Sequence, residues 1–323
     1  MHKLLNFPRT LPKAAITAAF CYSLKLLTVI CLGAYGVFAY GSQAPVKNLS
    51  VSAVDSLGRT ITLETPAEKV ISLAPHNTEI LFYIGAGKKI VGTVHYSDYP
   101  EAALKIPRIG GYDKINLEQI ITLKPDLVVA WKSGNDTRSV KRIEQLGFPV
   151  FYSDDHNIKG IAATMESLGK LTGLATQSLK LKKEFLNRYQ ALQDLNKNKA
   201  PIKIYYEVWQ SPRYTLGGTH FSAEIFKICG GQSLFDDVAE KAPIVSLEAI
   251  ITRNPQVILT GDRHGEQSLL ELRGQWQQWP QIDAVKNQHI YYVDADIYTR
   301  SSPRALDAAE DLCSILDRVR PSY

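Results

Sequence analysis

Aromatic and charged residues gather in the segments that an α/β chain would use to hold a ligand. Tyr96 and Tyr99 lie in the run Tyr96-Ser97-Asp98-Tyr99-Pro100, and Tyr112, Trp131, Trp209, Tyr214 and Tyr298 sit beside apolar runs further along. Aromatic faces suit a large, flat, partly apolar ligand, and hydroxyls orient it. Asp296 and Arg300, at the two ends of Asp296-Ile297-Tyr298-Thr299-Arg300, add polar partners. The competing readings are plain: core aromatics on one side, a structural ion pair on the other.

Glu118 and Glu248 carry a second kind of chemistry. Each is the second helical residue after a capping residue, in Asn116-Leu117-Glu118 and Ser246-Leu247-Glu248. A carboxylate there is stabilised by the helix dipole, by a few tenths to ~1 kcal/mol. As a pair at equivalent places on two rigid bodies, the acids can also dock on two basic residues of a partner.

Signs of catalysis are weak. Gly85-Ala86-Gly87-Lys88 resembles a phosphate loop but follows a helical pattern, and position 82 is Phe rather than Gly. No G-x-S-x-G elbow and no H-E-x-x-H motif occurs. His76, His95, His156, His220, His264 and His289 are scattered, so a metal site using His76 or His220 is a minority reading. No enzyme, metal or cofactor is expected.

Alternating strands and helices must position these residues. A hairpin over Val51–Asp55 and Thr60–Leu63 turns at Ser56-Leu57-Gly58-Arg59. Lys69–Leu73, Ile90–Val94 and Leu127–Ala130 read as buried strands, separated by a helix capped by Asn77 and ended by Gly85 and Gly87, then one capped by Asn116 in a box with Gln119. The order recurs: strand Ile202–Val208, a helix opened by Ser222 and closed by Gly230-Gly231, then Ser246–Thr252. That last stretch matches Asn116–Thr122 at an offset of 130, each followed by a proline, Pro125 or Pro255, and an apolar strand. Between the halves, Ile161, Met165 and Leu168 share a face, and Leu181, Phe185, Tyr189, Leu192 and Leu195 recur at helical spacing. The expectation is an α/β protein: two Rossmann-like lobes with parallel sheets, joined by a long rigid helix, with a ligand cleft between them. The expected boundaries are 1–44 for targeting, 45–155 for the N-terminal lobe, 156–200 for the linking helix region and 201–323 for the C-terminal lobe.

Composition agrees with a globular protein. The 323 residues hold 37 Lys and Arg against 32 Asp and Glu, 45% hydrophobic and 21% charged, which excludes disorder and coiled coil. Residues 1–44 contribute Lys3, Arg9, Lys13 and Lys25 and no acid, so the rest is nearly neutral and no nucleic-acid partner is expected. A basic start, the apolar Leu26–Ala39 and the small residues of Ser42-Gln43-Ala44 have the layout of a secretory signal peptide, with an uncleaved anchor as the alternative. Cleavage leaves Cys229 and Cys313. In an oxidising compartment they form a disulfide closing 84 positions, worth up to ~4–5 kcal/mol, or else two buried thiols.

Several strings carry a likeness. Ser72-Leu73-Ala74-Pro75-His76-Asn77-Thr78-Glu79, Tyr96-Ser97-Asp98-Tyr99-Pro100, Asn116-Leu117-Glu118 and Leu123-Lys124-Pro125-Asp126-Leu127-Val128 resemble the helix-linked periplasmic binding proteins of ABC importers, most nearly the cobalamin branch. The resemblance implies that Tyr96, Trp131 and Asp296 to Arg300 (Asp296, Ile297, Tyr298, Thr299, Arg300) contact a corrinoid. Tyr112 stands where the branch has a tryptophan, Tyr214 falls near a family aromatic, and Ala242 replaces an expected tryptophan. It implies that Glu118 and Glu248 meet arginines of a membrane permease dimer, whose ATPase subunits supply the energy, and that Cys229 and Cys313 pair. It further implies a periplasmic monomer that carries cobalamin as transported ligand. The rival on the same fold is haem, with Tyr96 or His95 as axial ligand, or a ferric siderophore held by Arg300 and Arg213.

Overall fold

The computed structural model describes residues 50–262 and 269–323. Residues 1–44, for which a targeting role is expected, with Cys21 and Cys31, and His264 lie outside the described residues. A hairpin comes first: β1 (Val51–Val54) pairs antiparallel with β2 (Thr60–Leu63). Gly58, at φ +75, takes the left-handed conformation its turn requires.

The first parallel sheet follows from short, wholly apolar runs that only burial on both faces explains. It uses β3 (Val70–Ser72), then α1 (Pro75–Tyr83), β4 (Ile90–Thr93), α2 (Leu117–Leu123), β5 (Leu127–Trp131), α3 (Thr137–Gln145) and β6 (Val150–Ser153). Its strand order is β4-β3-β5-β6. Two helices lead away, α4 (Ile158–Leu171) and α5 (Ala175–Asn196). The second sheet uses β7 (Ile202–Glu207), the small ribbon β8 (Trp209–Gln210) and β9 (Arg213–Tyr214), then α6 (Ser222–Ile228), β10 (Gly231–Ser233), α7 (Leu247–Arg253) and β11 (Val257–Asp262). It continues with α8 (Leu269–Trp276), α9 (Asp283–Lys286), β12 (Ile290–Asp294), α10 (Ala295–Thr299) and α11 (Ala305–Val319). Its order is β10-β7-β11-β12. In both sheets the first strand lies between the second and third, and all neighbours run parallel. The duplicated architecture expected from the Asn116–Thr122 and Ser246–Thr252 match is therefore present at the level of topology.

Three local expectations need correction. Asn77 does not cap α1. The helix starts at Pro75, whose ring pre-sets the helical φ, after Ala74 in an extended conformation, and Asn77 is buried inside the first turn. Gly87 does not end that helix either; α1 stops at Tyr83, Gly85 turns the chain at φ +90, and Gly87 opens a short 3-10 turn. The capping box at α2 is half made. Asn116 Oδ1 accepts from Gln119 N at 3.2 Å, while Asn116 N is already committed to Ile109 O.

One apolar core runs through the linking helices. It takes Val70 and Val129 from the first sheet, Ile161, Met165 and Leu168 of α4, Phe185 and Tyr189 of α5, and Ile204, Leu259 and Leu312 beyond. Each lobe adds a smaller core on the other face of its sheet. The 22 residues of α5 span about 33 Å. Ion pairs fasten α5 at three points: Lys182 to Glu166 of α4, and Arg188 to Asp307 and Glu310 of α11. Glu224 of α6 accepts from Ile158 N at 2.7 Å and from the Tyr189 hydroxyl at 2.9 Å, so it ties both helices to the second lobe. The disulfide Cys229–Cys313 joins the end of α6 to α11.

Candidate functional site

In open parallel sheets the place for a ligand is beyond the strand C-termini, where the strand order reverses. In the first lobe that point lies between β3 and β5. The chain leaving β3 delivers Pro75 and His76, β5 ends on Trp131, and the segments after β4 bring Tyr96 and Tyr112. The chain leaving β12 through α10 brings Thr299, Arg300 and Ser301 from the other lobe. Pro75, His76, Tyr96, Tyr112, Trp131, Thr299, Arg300 and Ser301 together line a cavity of about 350 Å³.

The aromatic wall is built in detail. Trp131 lies 6.0 Å from Tyr112 and 5.2 Å from His76, ring centre to ring centre, the latter edge-on. Tyr96 is 59% exposed and has φ +65. For a bulky side chain that left-handed backbone costs roughly 1–2 kcal/mol, and here it sets a ring at the cleft mouth. Asn135 is the fastener behind the wall. Its Nδ2 donates to Leu73 O at 2.8 Å and to Tyr112 O at 2.7 Å, and its Oδ1 accepts from Trp131 N at 2.6 Å. One buried amide thus joins the end of β3, the Tyr112 loop and the end of β5.

Arg300 stands on the opposite side of the cavity, and an ionic cluster lies behind it. Arg300 Nη1 meets Glu79 Oε1 at 3.0 Å and Asp98 Oδ1 at 3.2 Å, and its Nη2 meets Asp296 Oδ2 at 2.7 Å. Arg304 donates to both oxygens of Glu79, at 2.8 and 2.7 Å, and its guanidinium stacks 3.9 Å above the Tyr99 ring. Burial works against the Arg304 charge, but the hydrogen bonds and charge of Glu79 outweigh it and hold its pKa above the ordinary value. His76 is pushed down to about 4, by burial first and then by the positive charge of Arg300, so it is a neutral imidazole at physiological pH. His220, also lowered to about 4 by burial, accepts from Ser222 N and does not line the cavity.

The residues singled out from sequence divide clearly. Tyr96, Tyr112, Trp131, Thr299 and Arg300 line one cavity, and Asp296 holds Arg300. Ile297 packs on the shared core. Tyr298 lies inside the core: it is fully buried, faces the Tyr206 ring and donates to Asp311 Oδ2. Tyr214 sits opposite Trp209 in the β8–β9 ribbon and bridges to Ile244, beside Ala242, away from the cavity lining. Glu118 and Glu248 are exposed on α2 and α7. Sequence reasoning missed Glu79, Arg304 and Asn135, whose partners are distant in the chain. Among the described residues no group of three or more His, Cys, Asp or Glu is arranged to hold a metal ion.

A two-lobed α/β clamp with an aromatic and cationic cleft is the architecture of a solute receptor, and the comparisons agree. The chain belongs to the periplasmic binding protein family, whose profile matches residues 70–297. It is 37% identical over 249 residues to the vitamin B12-binding protein of Vibrio vulnificus (strain CMCP6), covering 77% of this chain and 89% of that one. It is 35% identical over 248 residues to the vitamin B12-binding protein of Yersinia pestis (strain Pestoides F), covering 76% and 85%. Among solved structures it is similar to the periplasmic vitamin B12 binding protein BtuF of Vibrio cholerae, with a TM-score of 0.73 at 36% identity over 79% of this chain and 98% of that one.

Proposed function

We propose that this protein captures cobalamin or a related corrinoid in the periplasm and delivers it to the permease of an ABC importer. The observation that carries this reading is the cavity that joins Tyr96, Tyr112 and Trp131 on one side to Arg300 on the other. A corrinoid is broad, flat and partly apolar, with polar amides at its rim. Tyr112 and Trp131 suit its faces, Arg300 suits its rim amide carbonyls as a hydrogen-bond donor, and the Thr299 hydroxyl, whose proton goes to Ala295 O at 2.7 Å, suits an amide N–H as acceptor. The likeness to vitamin B12-binding proteins supports the same ligand.

No bond is made or broken in this function. Capture draws on apolar surface removed from water and a few oriented hydrogen bonds. The loaded monomer then offers Glu118 and Glu248, one acid per lobe, to basic residues of a permease dimer, while ATP hydrolysis takes place in the importer's other subunits. The basic-then-apolar segment in residues 1–44 serves as the export signal. Cleavage leaves the Cys229–Cys313 pair in an oxidising compartment.

The test is the visible spectrum of the purified protein after incubation with cyanocobalamin, haemin or a ferric siderophore, followed by desalting. The expected result is a retained corrinoid spectrum. A retained haem spectrum in its place would transfer the site to haem, with Tyr96 at the cleft mouth as the candidate axial ligand.

A further inference from the structure

We propose that Glu79 is the positioning residue of the cleft: a single carboxylate on α1 of the first lobe fastens Arg300 and Arg304 of the second, and so fixes the cleft width and the aim of Arg300 before a ligand arrives. Three features support this. Glu79 is 3% exposed and Arg300 is 9% exposed, so neither charge is solvated, and each requires a charged partner. Both Glu79 oxygens are occupied, by guanidinium nitrogens of Arg300 and Arg304 from across the cleft. The residues joined are 221 and 225 positions apart in the chain, so these bonds are a direct bridge between lobes rather than a local turn.

The remaining contacts of Arg300 define how the device would work. Asp296, on its own lobe, pairs with Nη2 and moves with it. Asp98 pairs with Nη1 at 3.2 Å, the longest of the three contacts, and is 43% exposed. Asp98 is thus the partner that a ligand amide can displace, while Glu79 keeps its grip on Arg300. Arg304 has no such alternative. Its carboxylate bonds both go to Glu79, and its other face is covered by Tyr99. Linking helices resist large hinge motion, and the Glu79 bridge removes the residual opening that they leave.

The bridge itself needs no ligand to be tested. Only the affinity arm rests on the corrinoid reading of the site. Spin labels placed at Lys141→Cys on α3 and Lys286→Cys on α9, both exposed positions, report the distance between lobes, with Cys21 and Cys31 changed to Ser. Without ligand the parent protein is expected to give one narrow distance distribution, and Glu79→Gln a broad one extending to longer distances. Adding cyanocobalamin is expected to narrow the Glu79→Gln distribution again, with an affinity about ten-fold weaker, because only a minor share of the open ensemble is competent to bind. An unchanged ligand-free distribution in Glu79→Gln overturns the proposal. If that variant does not fold, Arg304→Gln is read in the same way, where broadening supports the bridge and an unchanged width overturns it. A parent protein that binds no corrinoid would sink the assigned ligand and leave the distance result to decide the bridge.

Discussion

Asn116 and Ser246 perform the same task 130 positions apart: each side-chain oxygen accepts the N–H of the residue three further on, at 3.2 Å from Gln119 N and 3.2 Å from Ala249 N. Each short helix then ends on a left-handed residue, Lys124 or Asn254, directly before a proline. The consequence is that Glu118 and Glu248 project from matching first turns of α2 and α7, exposed and outside the cavity. Glu248 is held below the ordinary glutamate value by backbone hydrogen bonding first and then by Ser246, so it is charged across the physiological range.

Glu118→Ala combined with Glu248→Ala is therefore expected to leave ligand affinity unchanged and to reduce uptake in a reconstituted importer by tenfold or more, on the order of the loss from removing two charge-assisted contacts. Binding by titration and uptake into vesicles measure the two properties separately. A double variant that no longer binds would put the acids in the pocket.

The aromatic wall predicts a contrast between two variants. Trp131→Ala removes a face of the cavity and should weaken ligand binding by roughly 10–100-fold, with a small effect on thermal stability. Asn135→Ala leaves Leu73 O, Tyr112 O and Trp131 N without their shared partner, so it should lower both affinity and melting temperature, the latter by the equivalent of about 1–3 kcal/mol. Calorimetric titration and thermal melts on the two proteins decide this. Equal stability in both would mean that Asn135 is not the fastener.

His76 gives a pH dependence whose sign is fixed. It stays neutral in the folded cleft down to about pH 4, under burial and the nearby Arg300, with Asp154 pulling weakly the other way. The unfolded chain takes up that proton from about pH 6.5 downward. Stability from this group is complete above pH 6.5 and is lost as pH falls towards 4, by about 3 kcal/mol in total. Asp155 opposes it: burial pushes its pKa up to about 7, so it removes stability as pH rises from about 4 to 7. The clean observable is the difference between the parent and His76→Leu. The parent's unfolding free energy from denaturant titration should fall relative to the variant's by about 3 kcal/mol as pH is lowered from 7 to 4, and parallel curves would contradict the assignment.

The linking helices predict a small conformational response. With one core running through α4 and α5, and with Lys182, Arg188 and Glu224 fastening them, ligand binding should change the radius of gyration in solution scattering by no more than about 1 Å. A contraction of several ångströms would mean that the helices flex.

The parallel sheets were legible because stretches such as Leu127–Ala130 are apolar at every position, which only two-sided burial explains. The duplication was legible because caps and prolines repeat. The cleft was half legible. Aromatics placed after strands mark ligand loops, but type alone does not give direction: Tyr96 is turned outward by its left-handed backbone, while Tyr298 is drawn into the core by Tyr206 and Asp311. Glu79 and Arg304 could not be paired from sequence, since nothing local links residues 225 positions apart. Asn77 misled because asparagine favours caps, yet Pro75 pre-sets the helix two residues earlier.

The central claim is that two braced lobes hold a corrinoid in the Tyr96, Tyr112, Trp131 and Arg300 cleft. Calorimetric titration with cyanocobalamin tests it most directly. The account predicts one site per chain, with binding strongly weakened in Trp131→Ala. No heat from cyanocobalamin, or the same affinity in Trp131→Ala as in the parent, would contradict it.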